Sequence, residues 1–580
     1  MPVRVPSTAV FVLLLAAAVP HHDPGRDLNA IADEYLRARF AAFPEFATQL
    51  GLPGARHDRV RDRSAAAEAA WRKQENRFLA QVRTIDASAL NRTDRVTHAI
   101  LVEELESSVR LRACNNRLWT VSPLTGWQAF YAGLAQQQPV GTPAYRQQTL
   151  TRWNALPRVV DTEIANLKEG VQRGYTAPAV NVRRVLEGLD KILEGDAAAS
   201  PFYSPAARDS NTAFRAALTR VSAGPIAAAL RRYRDYLQNE YLPRARADIS
   251  ITALPDGETC YRSALRRFTT VDVDGAELHA MGLRELAAAE SAATDLSRRA
   301  FGNPDYRAVL AGMNDDPKYT FPSRGAVIPQ TDSIIAKAWA AAPKWFGILP
   351  KAPVKVEPFP AFEERSVPAG QYLRAAIDGS RPGIYRINLY LFTKPGGRLE
   401  ADRLAFHEAV PGHHFQLAIA QERTGVHPLT RYLSNSAFTE GWGIYAERIA
   451  DEMGLYASDA DRLKDLEGMV YSFATVVMET GMHVKGWSRE QAIAFETTHT
   501  SRSEEQAALD VDRRIGWPGQ GLSYPVGYIE IRRLRELAET RLGERFDVRT
   551  FHDRVLEDGS IPLGLLRAKI ESWLDQSPAS

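Results

Sequence analysis

Three histidines and a glutamate crowd into the eight residues His407-Glu408-Ala409-Val410-Pro411-Gly412-His413-His414, in a chain with only 12 histidines. Neutral imidazoles are good zinc ligands. A zinc hydrolase needs such ligands, an open coordination position and a carboxylate beside that position to act as base. The ordinary helical solution is His-Glu-x-x-His, whose i, i+4 spacing puts both imidazoles on one helix face with the glutamate next to them.

This segment departs from that pattern. The residue four after His407 is Pro411, which cannot bind a metal, lacks an N–H and crowds the carbonyl one turn back. Gly412 tolerates unusual backbone angles. The helix is therefore expected to bulge or break at Pro411-Gly412. A bulge that absorbs two residues brings His413 onto the face of His407. In an unbroken helix His414 takes that face instead, about 10 Å away along the axis, a long reach for two ligands of one ion. His413 is the preferred second ligand, and His414 the alternative or a residue supporting the ligands. A proline-kinked helix with merely hydrogen-bonded histidines is the plain alternative to any metal reading.

A third ligand has to come from elsewhere. The segment Phe438-Thr439-Glu440-Gly441-Trp442-Gly443-Ile444-Tyr445-Ala446-Glu447 offers two carboxylates on a helix with two glycines. Glu440 is the candidate ligand, and Glu447, two turns on, is a candidate to orient a histidine or to serve as an alternative ligand. Gly441 permits close approach by another backbone, which argues against a plain surface role for Glu440. One Zn2+ per chain is the expected cofactor.

The elements that must hold these residues read mostly as helix. Apolar residues recur at helical spacing over 27–49, 144–173, 180–194, 213–241, 274–299, 399–422, 436–451, 460–483, 489–497, 528–542, 548–557 and 563–576. One stretch, 383–390, alternates and is rich in Tyr and Ile, which predicts a strand, with 355–359 as a partner. Its Asn388 is a candidate for reaching bound substrate if a peptide adds to that strand. The fold class expected is mainly α, with a small β-sheet just before the metal-binding helix. No fixed-period repeat or low-complexity linker divides the chain. A two-lobe division near residue 300, at Gly302-Asn303-Pro304, is the expected boundary if there is one.

Composition narrows the function. Lys+Arg number 72 and Asp+Glu 70, a net charge of +2, which leaves no basic field for nucleic acid or an anionic membrane. Arg4 precedes an eleven-residue apolar run, 9–19, that is too short to span a bilayer, and Ala16-Ala17-Ala18 suits a cleavage site. Residues 1–18 therefore read as a secretory signal peptide, with a periplasmic or secreted catalytic domain over 27–580 that makes no membrane contact after cleavage. Two cysteines, Cys114 and Cys260, cannot build a cysteine-rich metal site. They form one disulfide in an oxidising compartment or stay as separate buried thiols.

The motif His407-Glu408-Ala409-Val410-Pro411-Gly412-His413-His414-Phe415-Gln416, followed by Thr439-Glu440-Gly441-Trp442, resembles the bacterial DUF885 family. That family is similar to the zincin-type peptidases around the oligopeptidase, carboxypeptidase Taq and angiotensin-converting enzyme groups. The resemblance extends over Pro44-Glu45-Phe46-Ala47-Thr48-Gln49-Leu50-Gly51, Tyr241-Leu242-Pro243 through Leu254-Pro255-Asp256-Gly257, Asp378-Gly379-Ser380-Arg381-Pro382-Gly383 and Pro518-Gly519-Gln520-Gly521-Leu522-Ser523-Tyr524. It implies one large helical, zincin-like catalytic unit across the mature chain. It also implies a metallopeptidase: His407, His413 and Glu440 on zinc, Glu408 as general base, and Tyr524 and His483 as candidate donors to the oxyanion. Two positions depart from the family pattern. Glu479 stands where Asp is expected, and Arg514 where Tyr is expected. Neither is a proposed ligand, and both bear on the substrate pocket. Arg513 is a candidate to pair with a substrate carboxylate, or else with a neighbouring glutamate.

The expected activity is hydrolysis of short peptides by an exported zinc peptidase. A zinc hydrolase of a non-peptide amide or ester uses the same motif. A non-catalytic periplasmic peptide-binding protein is the reading from another class, and the intact Glu408 argues against it.

Overall fold

The computed structural model describes residues 23–361, 364 and 367–576; the segment 1–18, expected from its sequence to be a signal peptide, lies outside them. Prolines and glycines punctuate the helices. The apolar stretch read as one helix over 27–49 is two, α1 (Pro24–Ala42) and α2 (Pro44–Leu50), because Pro44 can start a helix but cannot continue one. Asp23 caps α1 by accepting from the N–H groups of Gly25 and Arg26.

Two larger cores follow. Residues between Val121 and Tyr241 form one, with the fully buried Trp153 on the long helix α3 (Pro143–Gln172) packed among its apolar neighbours. The other runs from Leu28 to Leu574 and surrounds the chemical motif. It does not divide near residue 300. Leu286 and Ala293, on α4 (Gly275–Phe301), share it with Tyr306 and Leu310 beyond the glycine that ends that helix. Cys114 and Cys260 are joined as a disulfide across a sequence separation of 146 residues.

A three-stranded sheet precedes the motif, in the order β1-β3-β2: β1 (Val354–Pro358), β2 (Gly370–Leu373) and β3 (Gly383–Ile387). β1 runs parallel to β3 with Val356 opposite Tyr385, as the partner expected for the 383–390 stretch. β2 runs antiparallel to β3, with Tyr372 opposite Tyr385. The predicted strand is too long at its end. It stops at Ile387 because Asn388 caps the short helix that follows, accepting from the N–H groups of Tyr390 and Leu391. β3 is also the central strand, so both its edges are already paired and it cannot take a substrate strand.

Six helices then frame the site. They are α5 (Gly397–Glu408), α6 (His413–Glu422), α7 (Ser436–Glu452), α8 (Asp459–Val484), α9 (Glu504–Gly516) and α10 (Ser523–Leu542). A capping box between Ser458 and Asp461 starts α8. Helices α7 and α10 cross at glycines: a Cβ on Gly441 would lie 2.3 Å from the carbonyl carbon of Gly527. Among the described residues no helix is long and apolar enough to cross a membrane.

Candidate metal centre

The stretch 399–422 is not one helix. α5 ends at Glu408 and α6 begins at His413, with Ala409 to Gly412 outside both. Pro411 cannot donate to the helix ladder, and its carbonyl instead accepts from the indole of Trp442 on α7, at 2.9 Å. Gly412 passes so close to α5 that a Cβ there would sit 1.9 Å from the carbonyl oxygen of His407. Only glycine fits, so the sequence Pro-Gly sets both the break and the tight return.

The return brings His413 beside His407, with ring centroids 4.5 Å apart and nearly perpendicular. Glu440, on the first turns of α7, completes the group. Its Oε2 lies 3.2 Å from Nε2 of His413 and 3.7 Å from Nε2 of His407. One ligand atom from each of the three residues lies within 4.8 Å of the others. Ligands about 2 Å from a tetrahedral zinc stand roughly 3.3 Å apart, so this spacing fits one ion. The donor set fits as well. Glu440 Oε2 is buried without a hydrogen-bond partner, an atom that ordinarily demands one. Gly443 makes room for the arrangement, since a Cβ there would meet the His407 ring at 2.5 Å.

Electrostatics concentrate positive charge at this point. Burial alone would lower the His407 pKa. The nearby Glu440 carboxylate, 3.7 Å away, and the hydrogen bond to Glu447 outweigh it and raise the value to about 10. Burial would raise the Glu440 pKa, but the two imidazoles hold it well below the usual carboxylate range. The imidazoles and the Glu440 carboxylate thus favour one another's charged forms.

Glu447 is placed as the sequence suggested for an orienting residue. Its Oε1 is 2.6 Å from Nδ1 of His407, and its Oε2 accepts from Arg403 at 2.7 Å. Arg403 is a supporting residue that sequence reasoning missed, although its place one turn before His407 on α5 was a usable signal.

His414 does not join the group. Its Nδ1 lies 3.0 Å from the Tyr372 hydroxyl and its Nε2 faces the Ala352 carbonyl at 2.9 Å, which ties α6 to the sheet. Burial lowers its pKa to about 4, so it stays neutral.

Glu408 lies next to the cluster. Burial raises its pKa, the two imidazoles oppose this, and its carboxylate accepts from the Tyr372 N–H on β2. That strand went unread because four residues, Gly370–Leu373, carry no alternation. Tyr524 stacks on His407 with centroids 6.2 Å apart and planes 19° apart. Burial, then the charge of Glu440, pushes its pKa up to about 12, so its hydroxyl keeps its proton. Arg513 reaches the Tyr524 hydroxyl at 3.5 Å and donates to Gln520 at 2.8 Å. Among the described residues no carboxylate lies within 4.0 Å of it, but its charge reaches the neighbouring Glu479, whose pKa it acts to lower.

Two candidates stand elsewhere. His483 is spent on backbone: its Nδ1 accepts from the Ile251 N–H at 3.3 Å and its Nε2 faces the Arg514 carbonyl at 3.4 Å. Its ring packs on Tyr261, not on the cluster. Asn388 is fully buried and donates to the carbonyls of Glu364, Val367 and Pro368 while capping a helix, so it holds a loop and does not reach substrate. The two departures from the family pattern meet in space. The Arg514 and Glu479 side chains both line the position of Gly521, and Glu479 also accepts from the Gly519 N–H.

The family model of DUF885, described as a bacterial protein of unknown function, matches residues 44–570. No curated protein matches the chain. A solved structure described as "the putative lipoprotein from Colwellia psychrerythraea" superposes with a TM-score of 0.88 at 24% identity, over 96% of this chain and 100% of that one. Another, "a putative lipoprotein of unknown function from Shewanella oneidensis", superposes with a TM-score of 0.70 at 17% identity, over 93% and 99%. Those likenesses establish a shared fold. The match of the family model over most of the chain, with the motif it contains, makes this protein a member of the DUF885 family.

Proposed function

We propose that the protein is an exported zinc peptidase that hydrolyses short peptides, with His407, His413 and Glu440 as the residues that hold the metal. The observation that carries this reading is the convergence of two imidazole nitrogens and the partnerless Glu440 Oε2 on one point, with a fourth side chain, Glu408, beside them. A bound Zn2+ supplies Lewis acidity, which acidifies water and polarises the scissile carbonyl.

The protein's own residues do the rest. Glu447 takes the Nδ1–H of His407, which fixes the tautomer that turns the Nε2 lone pair towards Glu440 and His413. Arg403 holds Glu447 in that role. Glu408, with its raised pKa, accepts a proton as water oxygen bonds to the carbonyl carbon. It returns that proton to the amine nitrogen as the C–N bond breaks. The Tyr524 hydroxyl donates to the oxygen on which negative charge develops. Arg513, beside Tyr524, serves as an anionic or carbonyl contact for the substrate. Export rests on the 1–18 segment of the sequence.

The test is metal content together with turnover of short peptides by the purified chain. One zinc per chain and peptide cleavage support the reading; a zinc-loaded protein that cleaves no peptide in a mixed library refutes it.

A further inference from the structure

Beside β2 lies a surface cleft of about 300 Å3, lined by α2, the end of β2 and the loop after it, and Leu417 in the middle of α6. That volume is at the lower end for small-ligand sites. Phe46, Leu50 and Leu417 give it an apolar wall. Arg374 and Arg381 face them, and among the described residues neither has a carboxylate within 4.0 Å. Among the described residues the Arg374 guanidinium makes one long contact, 3.5 Å to the Tyr432 carbonyl. Arg381 donates one bond, to the Arg374 carbonyl, and its Nε is shielded from solvent without a partner. The nearby Asp378 is turned to the Ser380 N–H.

A guanidinium carries five N–H donors, so two half-buried guanidinium groups at one cleft with few partners of their own mark a place for an anion. Their planar forks suit a carboxylate, and the apolar wall suits a hydrophobic side chain attached to it. We propose that this cleft binds the C-terminal carboxylate of a short peptide that ends in an apolar residue. Tyr372 links the cleft to the candidate centre, since it lines the cleft while its N–H holds Glu408. The inference needs no bound metal and no turnover, so it fails or stands separately from the peptidase reading.

The test is isothermal titration of the full chain with N-acetylphenylalanine, its C-terminal amide and inorganic phosphate. The expected result is saturable binding of the acid, one per chain. The amide binds at least tenfold more weakly, and phosphate does not compete at equal concentration. Arg381→Gln and Arg374→Gln each weaken the acid at least tenfold. If an arginine variant does not fold, Leu50→Ala serves, and it lowers the preference for N-acetylphenylalanine over N-acetylalanine. The proposal is overturned if acid and amide bind alike, or if phosphate displaces the acid. It is also overturned if no probe binds, or if Leu50→Ala leaves the preference intact.

Discussion

Nδ1 of His407 lies 2.6 Å from Oε1 of Glu447, so the imidazole is oriented from behind while its Nε2 looks towards Glu440. Partners of this kind fix a ligand's tautomer and tilt, and their loss typically costs about 10–100-fold in metal affinity. Glu447→Gln and Arg403→Met are both expected to weaken zinc binding by that order. Competition against a zinc-sensitive dye checks this. Unchanged affinity in both variants would remove the orienting role.

Glu408 is expected to be needed for turnover and not for metal. Glu408→Gln keeps the shape and the Tyr372 N–H contact but cannot take a proton. Zinc content should match the wild type, while kcat falls by at least ~100-fold, the low end for loss of general base catalysis. Wild-type kcat in this variant contradicts the assignment.

His413 and His414 are adjacent in sequence and opposite in expected consequence. His413→Ala removes one of the three clustered donors and should abolish stoichiometric zinc binding. His414→Ala removes the contacts to Tyr372 and the Ala352 carbonyl and leaves the three donors in place. It should retain zinc and lower stability by about 1–3 kcal/mol, the range for stranding buried partners. Metal analysis and urea denaturation of the two variants separate these outcomes. Zinc lost with His414 alone would exchange their roles.

That distinction shows how much of the site was legible in the sequence. Pro411 and Gly412 act locally, so the broken helix and the selection of His413 follow from steric rules. Glu440 and Glu447 were readable from residue type and from their two-turn separation. Asn388 was misread because asparagine before an apolar run is a capping signal as much as a reach towards substrate. His483 was misread because sequence order after the metal helices does not say which way a helix face turns. The placement of β2 behind Glu408 and of Arg374 and Arg381 across from α2 depends on contacts between distant segments, for which no local pattern exists. The long core that crosses residue 300 was hidden for the same reason, since a Gly-Asn-Pro break marks a turn and not a domain boundary.

Two buried histidines away from the cluster should make the fold acid-sensitive. Burial lowers the pKa of His483 to about 4 and that of His552 to about 3. His552 lies between the Tyr445 hydroxyl and the Trp345 carbonyl, each at 2.9 Å. The unfolded chain takes up these protons below about pH 6.5, while the folded chain does not until near pH 3 to 4. Their contribution is therefore complete above about pH 6.5 and is lost as pH falls. At about pH 5.5 the loss is up to roughly 1.4 kcal/mol for each. Denaturation midpoints at about pH 7 and pH 5.5 check this. His552→Gln should shrink the difference by up to roughly 1.4 kcal/mol while the share of His483 remains, and an unaltered difference in that variant would refute the contribution of His552.

The most direct measurement is a mass-spectrometric digest of a mixed short-peptide library by the purified chain, with and without a zinc chelator. Cleavage that disappears with the chelator, returns with added zinc and is absent from Glu408→Gln is the expected result. Cleavage that persists without zinc, or in Glu408→Gln, would contradict a zinc peptidase built on His407, His413 and Glu440.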